Sequence, residues 1–238
     1  MQREDAARDN QTLIRFWDQA FTLSGEQKAQ IRDGQEDWRG LAPSEKLCQA
    51  AQSLGQRRKV LDYGCGTGWA AVIAAKSGCP DVTAVDLAPA ALEAAALYAA
   101  RHRAADRIRF ACVDAGWLQR VPAEAYDGIF CSNVLDVIPP ETAEGILRET
   151  ARILQPDGVL IVGLNYCLSP EAAAAKGLAL ADGRRLYVEG VLRLVSRTDE
   201  EWAEVFSPWY TVEGLEHFAW PGEARETRRL FRLRKREG

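Results

Sequence analysis

The 238 residues fall within the usual size range of a single domain, about 50 to 250 residues. Hydrophobic residues make up 47% of the chain and charged residues 27%, an ordinary globular composition that excludes disorder as the main state. The net charge of −4 argues against nucleic acid as a partner, because binding to a phosphate backbone requires excess basic groups.

The cysteines and the N-terminal residues predict a cytoplasmic protein without a metal centre. None of the six cysteines stands at a C-x-x-C spacing, and the chain has only two histidines, so we expect no zinc site. The first twenty residues carry seven charged side chains, and no stretch of the chain offers eighteen apolar residues without charge. We therefore expect no secretion signal and no membrane partner.

In chain order, the sequence predicts helices first and then an alternation of strands and helices. Residues 1–45 read as a polar helical extension with the apolar group Leu13, Ile14, Phe16, Trp17 and Phe21. Strands are predicted at residues 59–62, 82–86, 108–114, 128–132 and 159–164. Helices are predicted at residues 69–77, closed by Gly78 as a left-handed cap, at 89–104, and at 140–154, which stops at a turn over 155–158.

This alternation with short connections predicts an α/β fold with a doubly wound, mostly parallel sheet. Residues 58–165 form its predicted ligand-binding core, and residues 166–197 an insertion or lid with a possible helix begun by Ser169. Residues 198–238 close a single domain, with a capping box at Thr198 for a helix to Phe206 and strands at 211–218 and 227–234. The six arginines and one lysine of residues 225–236 are interpreted as solvated charges of the last strand.

A glycine-rich turn follows the first strand of the core. Gly64, Gly66 and Gly68 alternate with other residues before a helix, whose free N–H groups and positive dipole end suit an anionic group. The dinucleotide fingerprint requires Gly or Ala at position 69, where this chain has Trp69. Asp62 would also repel a pyrophosphate, so the turn favours a ligand that carries positive charge as well.

Acidic residues end three successive predicted strands, at Asp62, Asp86 and Asp114. Ligands of open α/β sheets bind outside the carboxyl ends of the strands, so these side chains should share one crevice with the glycine turn. A carboxylate at Asp86 can accept hydrogen bonds from both hydroxyls of a ribose.

The turn with its preceding Asp62 resembles motif I of the class I S-adenosylmethionine-dependent methyltransferases. Residues 126–139 and 147–160 are similar to that family's fourth strand with its exit loop and to its last helix, turn and fifth strand. The resemblance covers about residues 58–165 and implies a Rossmann-like methyltransferase fold. It implies S-adenosylmethionine as the cofactor, held by Asp62, Gly64, Cys65, Gly66, Thr67 and Gly68, with Asp86 at the ribose, Leu87 and Ala115 flanking the adenine, Asp114 at its amino group and Ser132 at the methionine.

The resemblance implies transfer of a methyl group, by in-line displacement, to an acceptor that we interpret as a small molecule. The base candidate is Asp136, since the histidine sometimes found in this loop would align with Val137. The family's helix-capping serine is replaced by Ala88. We place the aromatic residues Trp17, Trp38, Tyr166 and Tyr187 in the acceptor pocket.

Other functions stay open at this point. A methyltransferase could act on protein or RNA instead, and a module could keep the fold and cofactor for binding alone. A nicotinamide-dependent oxidoreductase could use the same order of strands and helices, although Trp69 and Asp62 argue against it. Oligomeric state is not encoded in any motif of the chain.

Overall fold

A seven-stranded sheet forms the centre of the protein, as the alternating pattern predicts. The computed structural model describes residues 2–236, with side chains from residue 11 onward. In chain order the strands of both sheets are β1 (Val60–Tyr63), β2 (Val82–Asp86), β3 (Ile108–Cys112), β4 (Tyr126–Ser132), β5 (Leu154–Leu164), β6 (Leu180–Ala181), β7 (Arg185–Val188), β8 (Val191–Val195), β9 (Tyr210–Phe218) and β10 (Arg228–Lys235).

The strand order of the central sheet is β3-β2-β1-β4-β5-β10-β9. Strands β1 to β5 are parallel, whereas β10 runs antiparallel to both β5 and β9. Strand β1 pairs with β2 on one side and with β4 on the other, so the chain reverses its winding direction between β1 and β4. This is the place where a doubly wound sheet opens a ligand crevice at its carboxyl edge.

Helices cover both faces of this sheet. Helices α3, α4 and α5 pack in one apolar layer, in which residues 70–75 of α4 are all buried. Helices α7 and α9 pack on the opposite face, through Leu147, Trp202 and Phe206 among others. The helices are α1 (Gln2–Phe21), α2 (Gly25–Asp33), α3 (Glu45–Ser53), α4 (Trp69–Lys76), α5 (Pro89–Arg101), α6 (Trp117–Arg120), α7 (Pro140–Ile153), α8 (Pro170–Ala174) and α9 (Asp199–Phe206).

Predicted and observed boundaries differ most at the fifth strand, and by two or three residues at the third strand and at α5, which ends at Arg101 rather than at residue 104. The third strand ends at Cys112 rather than at residue 114, which leaves Asp114 in the following loop. The fifth strand begins at Leu154, so residues 155–158, which were expected to form a turn before the strand, belong to the strand. They form an irregular stretch in its pairing with β4. Leu154 pairs with Tyr126, but Val159 already pairs with Gly128, so β5 bulges over the intervening residues. The capping box of Thr198 is present as predicted.

The insertion after β5 folds differently from the sequence prediction. The short helix begun by Ser169 is present as α8, but β6, β7 and β8 form a three-stranded antiparallel sheet that the sequence did not predict. The guanidinium of Arg193 in β8 lies 4.2 Å from the ring centre of Phe16, so this small sheet packs on α1. No helix within residues 2–236 is long and apolar enough to cross a membrane.

Candidate functional site

The glycine turn between β1 and α4 is shaped by positive backbone angles. Gly64, Gly66 and Gly68 have φ values of +68°, +51° and +71°. A Cβ atom on Gly68 would lie 2.7 Å from the Cβ atom of Ala95, and one on Gly64 would overlap a methyl group of Val134. The turn therefore packs its bare backbone against α5 and against the loop after β4, where a side chain does not fit.

Asp62 is buried beneath this turn. Its Oδ2 atom accepts a hydrogen bond of 3.1 Å from the backbone N–H of Ala71, so the strand residue satisfies one of the free donors of α4. The pKa of Asp62 is raised to about 7, because burial and, to a smaller extent, the nearby charge of Asp86 outweigh the hydrogen bond from Ala71, which lowers it. The sequence indicated a carboxylate facing a ligand, but it did not reveal that the same carboxylate caps the helix.

The raised pKa of Asp62 makes stability depend on pH. An unfolded aspartate has a pKa of about 3.9. Between that value and about 7, the folded protein holds a proton that the unfolded chain has lost, so stability falls as the pH rises. From pH 5 to pH 8, we expect wild type to lose about 2 to 3 kcal/mol of unfolding free energy relative to Asp62→Asn. Urea unfolding at both pH values measures this difference, and a constant difference would contradict the assignment.

Asp86 joins the end of β2 to the glycine turn. One carboxylate oxygen accepts a 2.9 Å hydrogen bond from the N–H of Gly66, and the other accepts one of the same length from Ala88. Burial raises the pKa of Asp86, against the effect of these bonds. Each carboxylate oxygen has a second lone pair, so Asp86 keeps two acceptor positions for a ligand.

Asp114, the third predicted strand-end acid, lies apart from the first two. Its carboxylate is exposed and accepts hydrogen bonds of 2.9 Å from Arg120 at both oxygens and of 2.8 Å from the N–H of Gly116. The neighbouring Ala115 and Gln119 do line the crevice. Because Arg120 already binds both oxygens of Asp114, an adenine amino group would have to share this carboxylate with the guanidinium.

A single cavity of about 490 Å³ lies over the carboxyl ends of the strands. Its position and its walls agree with the ligand crevice expected from the sheet topology. Burial raises the pKa of the Cys65 thiol in this wall well above its usual value, so the thiol is protonated. The sequence-predicted residues that line the cavity are Asp62, Gly64, Cys65, Gly66, Thr67, Asp86, Leu87, Ala115, Ser132 and Trp17.

Six predicted site residues do not line this cavity. Two of them are Gly68 and Asp114, and the other four lie elsewhere in the fold. Asp136 is fully buried, and its Oδ2 atom accepts a 2.6 Å bond from the N–H of Asn165. Trp38 lies in a short 3-10 helix and packs on the α4 layer, with the Arg39 guanidinium 4.1 Å from its ring centre. Tyr166 packs with the cluster of the insertion, and Tyr187 lies in β7.

Several residues of the cavity wall were not predicted as site residues. Helix α7 contributes four side chains or glycines at helical spacing, and α1 contributes an apolar face beside Trp17. The sequence analysis marked an apolar group only in α1, and nothing in the sequence showed that α1 and α7 border a cavity. The additional residues include Leu13, Ile14, Phe21, Val113, Gln119, Asn133, Val134, Val137, Ile138, Thr142, Gly145, Ile146, Glu149 and Trp220.

The fold and this crevice together define an α/β protein of the doubly wound class, with a ligand crevice at the carboxyl ends of its strands. Residues 60–158 match the family model described as "Methyltransferase domain". A ubiquinone biosynthesis O-methyltransferase of Neisseria meningitidis is 33% identical over 103 residues, covering 43% of this chain and 42% of the relative. A ribosomal protein L11 methyltransferase of Burkholderia thailandensis is 42% identical over 67 residues, which cover 27% of this chain and 22% of the relative.

A solved structure extends the likeness over most of the fold. The 1,6-didemethyltoxoflavin-N1-methyltransferase of Burkholderia thailandensis, crystallised with S-adenosylhomocysteine, has a TM-score of 0.63 and 21% identity. The match covers 88% of this chain and 85% of that one. The chain spans about two fifths of the length of the Neisseria relative. Residues 60–158 therefore match a methyltransferase domain, and the fold is that of the class I S-adenosylmethionine-dependent methyltransferases.

The cofactor of this family is S-adenosylmethionine, and the residues of the crevice fit it. Its ammonium and sulfonium groups are positively charged, and the cavity presents the carboxylates of Asp62 and Asp86. Its adenine needs apolar surface, which Leu87, Val113 and Ala115 supply. The side-chain-free turn at Gly64 and Gly66 leaves backbone groups accessible to the methionine end.

Proposed function

We propose that the protein transfers a methyl group from S-adenosylmethionine to a small-molecule acceptor. The observation that carries this proposal is one continuous cavity with two kinds of wall. The glycine turn and Asp86 form a polar part, α1 and the loop after β4 form a mainly apolar part, and α7 adds Ile146 together with Thr142 and Glu149. The volume of about 490 Å³ falls in the range of small-molecule sites, about 300 to 1,000 Å³.

The predicted cofactor contacts that line the cavity are each assigned to one part of its wall. Asp86 accepts the ribose hydroxyls, Leu87 and Ala115 flank the adenine, and Ser132 faces the methionine. When bound, S-adenosylmethionine supplies a methyl group on a sulfonium, which is an excellent leaving group. The apolar side chains exclude water and orient the acceptor, and orientation can supply up to about 7 to 11 kcal/mol in favourable cases. A general base is then optional.

A protein acceptor is the second candidate, favoured by the L11 methyltransferase relative. The ubiquinone biosynthesis relative favours a small acceptor with a hydroxyl group. The walls contributed by α1 and α7 place apolar side chains, such as Ile14 and Ile146, where a folded protein surface would have to enter.

Incubation with methyl-labelled S-adenosylmethionine tests this proposal. Three acceptor pools are supplied separately: a small-metabolite extract, ribosomal proteins and total RNA. We expect label in the small-metabolite pool, with equimolar release of S-adenosylhomocysteine, and no transfer by Asp86→Ala. Label confined to protein or RNA, or no release with any pool, would contradict the proposal.

A further inference from the structure

An exposed tryptophan stands at the rim of the cavity. Trp220 lies in the loop between β9 and β10, lines the cavity and has 36% of its surface exposed. Among the described residues, the other strongly exposed large hydrophobic side chains are Leu178 and Val188, and neither of them lines the cavity. Exposed aromatic surface at the mouth of a site is the kind of surface that a ligand covers.

The indole ring is fixed in place by its neighbours. The guanidinium of Arg228 lies 3.6 Å from the ring centre, and the backbone N–H of Trp220 donates a 2.8 Å hydrogen bond to the carboxylate of Glu223. Glu223 in turn accepts a 2.7 Å bond from Arg228, whose side chain is only 7% exposed. Since an ion pair between the buried Arg228 and the partly exposed Glu223 holds the ring before any ligand arrives, stacking on it costs little ordering entropy.

The same arginine is connected to the inner wall of the cavity. Arg228 donates a 2.5 Å hydrogen bond to Oδ1 of Asn165, which also accepts a 3.0 Å bond from the side chain of Asn133. The hydroxyl of Ser132 donates to Asn133 over 3.1 Å. Ser132 and Asn133 both line the cavity, so this chain of hydrogen bonds joins the proposed methionine side to the Trp220 rim.

We propose that Trp220 is the platform on which the acceptor stacks, and that the acceptor is therefore a planar aromatic small molecule. This inference rests on the proposed function, because it assigns the acceptor side of the same cavity. A cation over one face draws π-electron density toward that face, so the remaining face favours an electron-rich ring such as a phenol. Trp17 and Phe21, stacked with centres 5.7 Å apart, add aromatic surface to the same cavity.

Calorimetry with two matched probes tests this inference. Protein saturated with S-adenosylhomocysteine is titrated with naphthol, which is planar, and with decahydronaphthol, its saturated and non-planar analogue. We expect naphthol to bind at least tenfold more tightly than decahydronaphthol. Trp220→Leu should lower the affinity for naphthol at least tenfold. Trp220→Phe should keep that affinity within about threefold of wild type, since phenylalanine retains a ring for stacking.

Two controls separate this inference from the proposed function. Trp209→Leu changes a tryptophan that lines a separate depression with Pro208 and Lys235, and it should leave both titrations unchanged. Binding of S-adenosylhomocysteine is measured for every variant, and its absence from wild type would contradict the proposed function itself. Suppose that S-adenosylhomocysteine binds, but that naphthol does not bind or binds Trp220→Leu and wild type with equal affinity. The inference that the acceptor stacks on Trp220 is then wrong, and the proposed function stands.

Discussion

Asp86→Ala is expected to weaken the binding of S-adenosylhomocysteine at least a hundredfold. The proposed contacts are two ribose hydroxyls, and a hydrogen bond to a charged group contributes about 1.5 to 3 kcal/mol. Two such bonds give about 3 kcal/mol or more, which corresponds to a factor above one hundred. The substitution also removes the acceptors for the N–H groups of Gly66 and Ala88, so the glycine turn loses its tie to β2.

Asp114→Ala is the charge-matched control for this experiment. Asp114 is exposed and paired with Arg120, and it stands outside the cavity wall, so we expect a loss of less than about fivefold. A loss of tenfold or more would support the contact with the adenine amino group predicted from sequence. An affinity of Asp86→Ala equal to that of wild type, with the fold retained in urea unfolding, would overturn the ribose assignment.

Asp136→Ala is expected to lower the free energy of unfolding by about 3 to 5 kcal/mol, the usual effect of removing one partner from a buried charged network. Asp136 is fully buried and holds three parts of the chain together. Its carboxylate accepts from the N–H of Asn165 after β5, and its carbonyl accepts a 2.6 Å bond from Val195 in β8. Burial raises its pKa, although the bond from Asn165 and the charge of Arg229 oppose this.

Asp136→Asn distinguishes this positioning role from the general base predicted by sequence. An asparagine oxygen can still accept from Asn165, so we expect a cost of only about 1 to 2 kcal/mol and methyl transfer close to wild type. Urea unfolding and the rate of S-adenosylhomocysteine release are measured on the same samples. A variant that folds like wild type but has lost transfer would instead identify Asp136 as the base.

The order of the central elements could be predicted because the relevant signals are local. Strands such as β2 and β4 are short apolar runs bounded by acids, glycine or serine, and α5 begins at Pro89, a residue suited to the first turn of a helix. The crevice followed from topology, since parallel strands present their carboxyl ends at one edge. The roles assigned to individual residues of the crevice stay predictions.

The parts that escaped prediction depend on contacts between distant residues. The turns that join β6, β7 and β8 use Gly183 and Gly190 at positive φ, but these short strands lie among charged residues and give weak patterns. Trp220 reaches the cavity only because Arg228 pairs with Phe218 across a hairpin and β10 then pairs with β5. No local signal marks such a position.

The most direct test of the account is a pair of equilibrium titrations of the wild-type protein, one with S-adenosylhomocysteine and one with NADH. We predict saturable binding of S-adenosylhomocysteine at one site per chain and no binding of NADH, because Trp69 stands where the dinucleotide fingerprint requires Gly or Ala. Saturable binding of NADH at this site, or no binding of S-adenosylhomocysteine by the folded protein, would contradict the account.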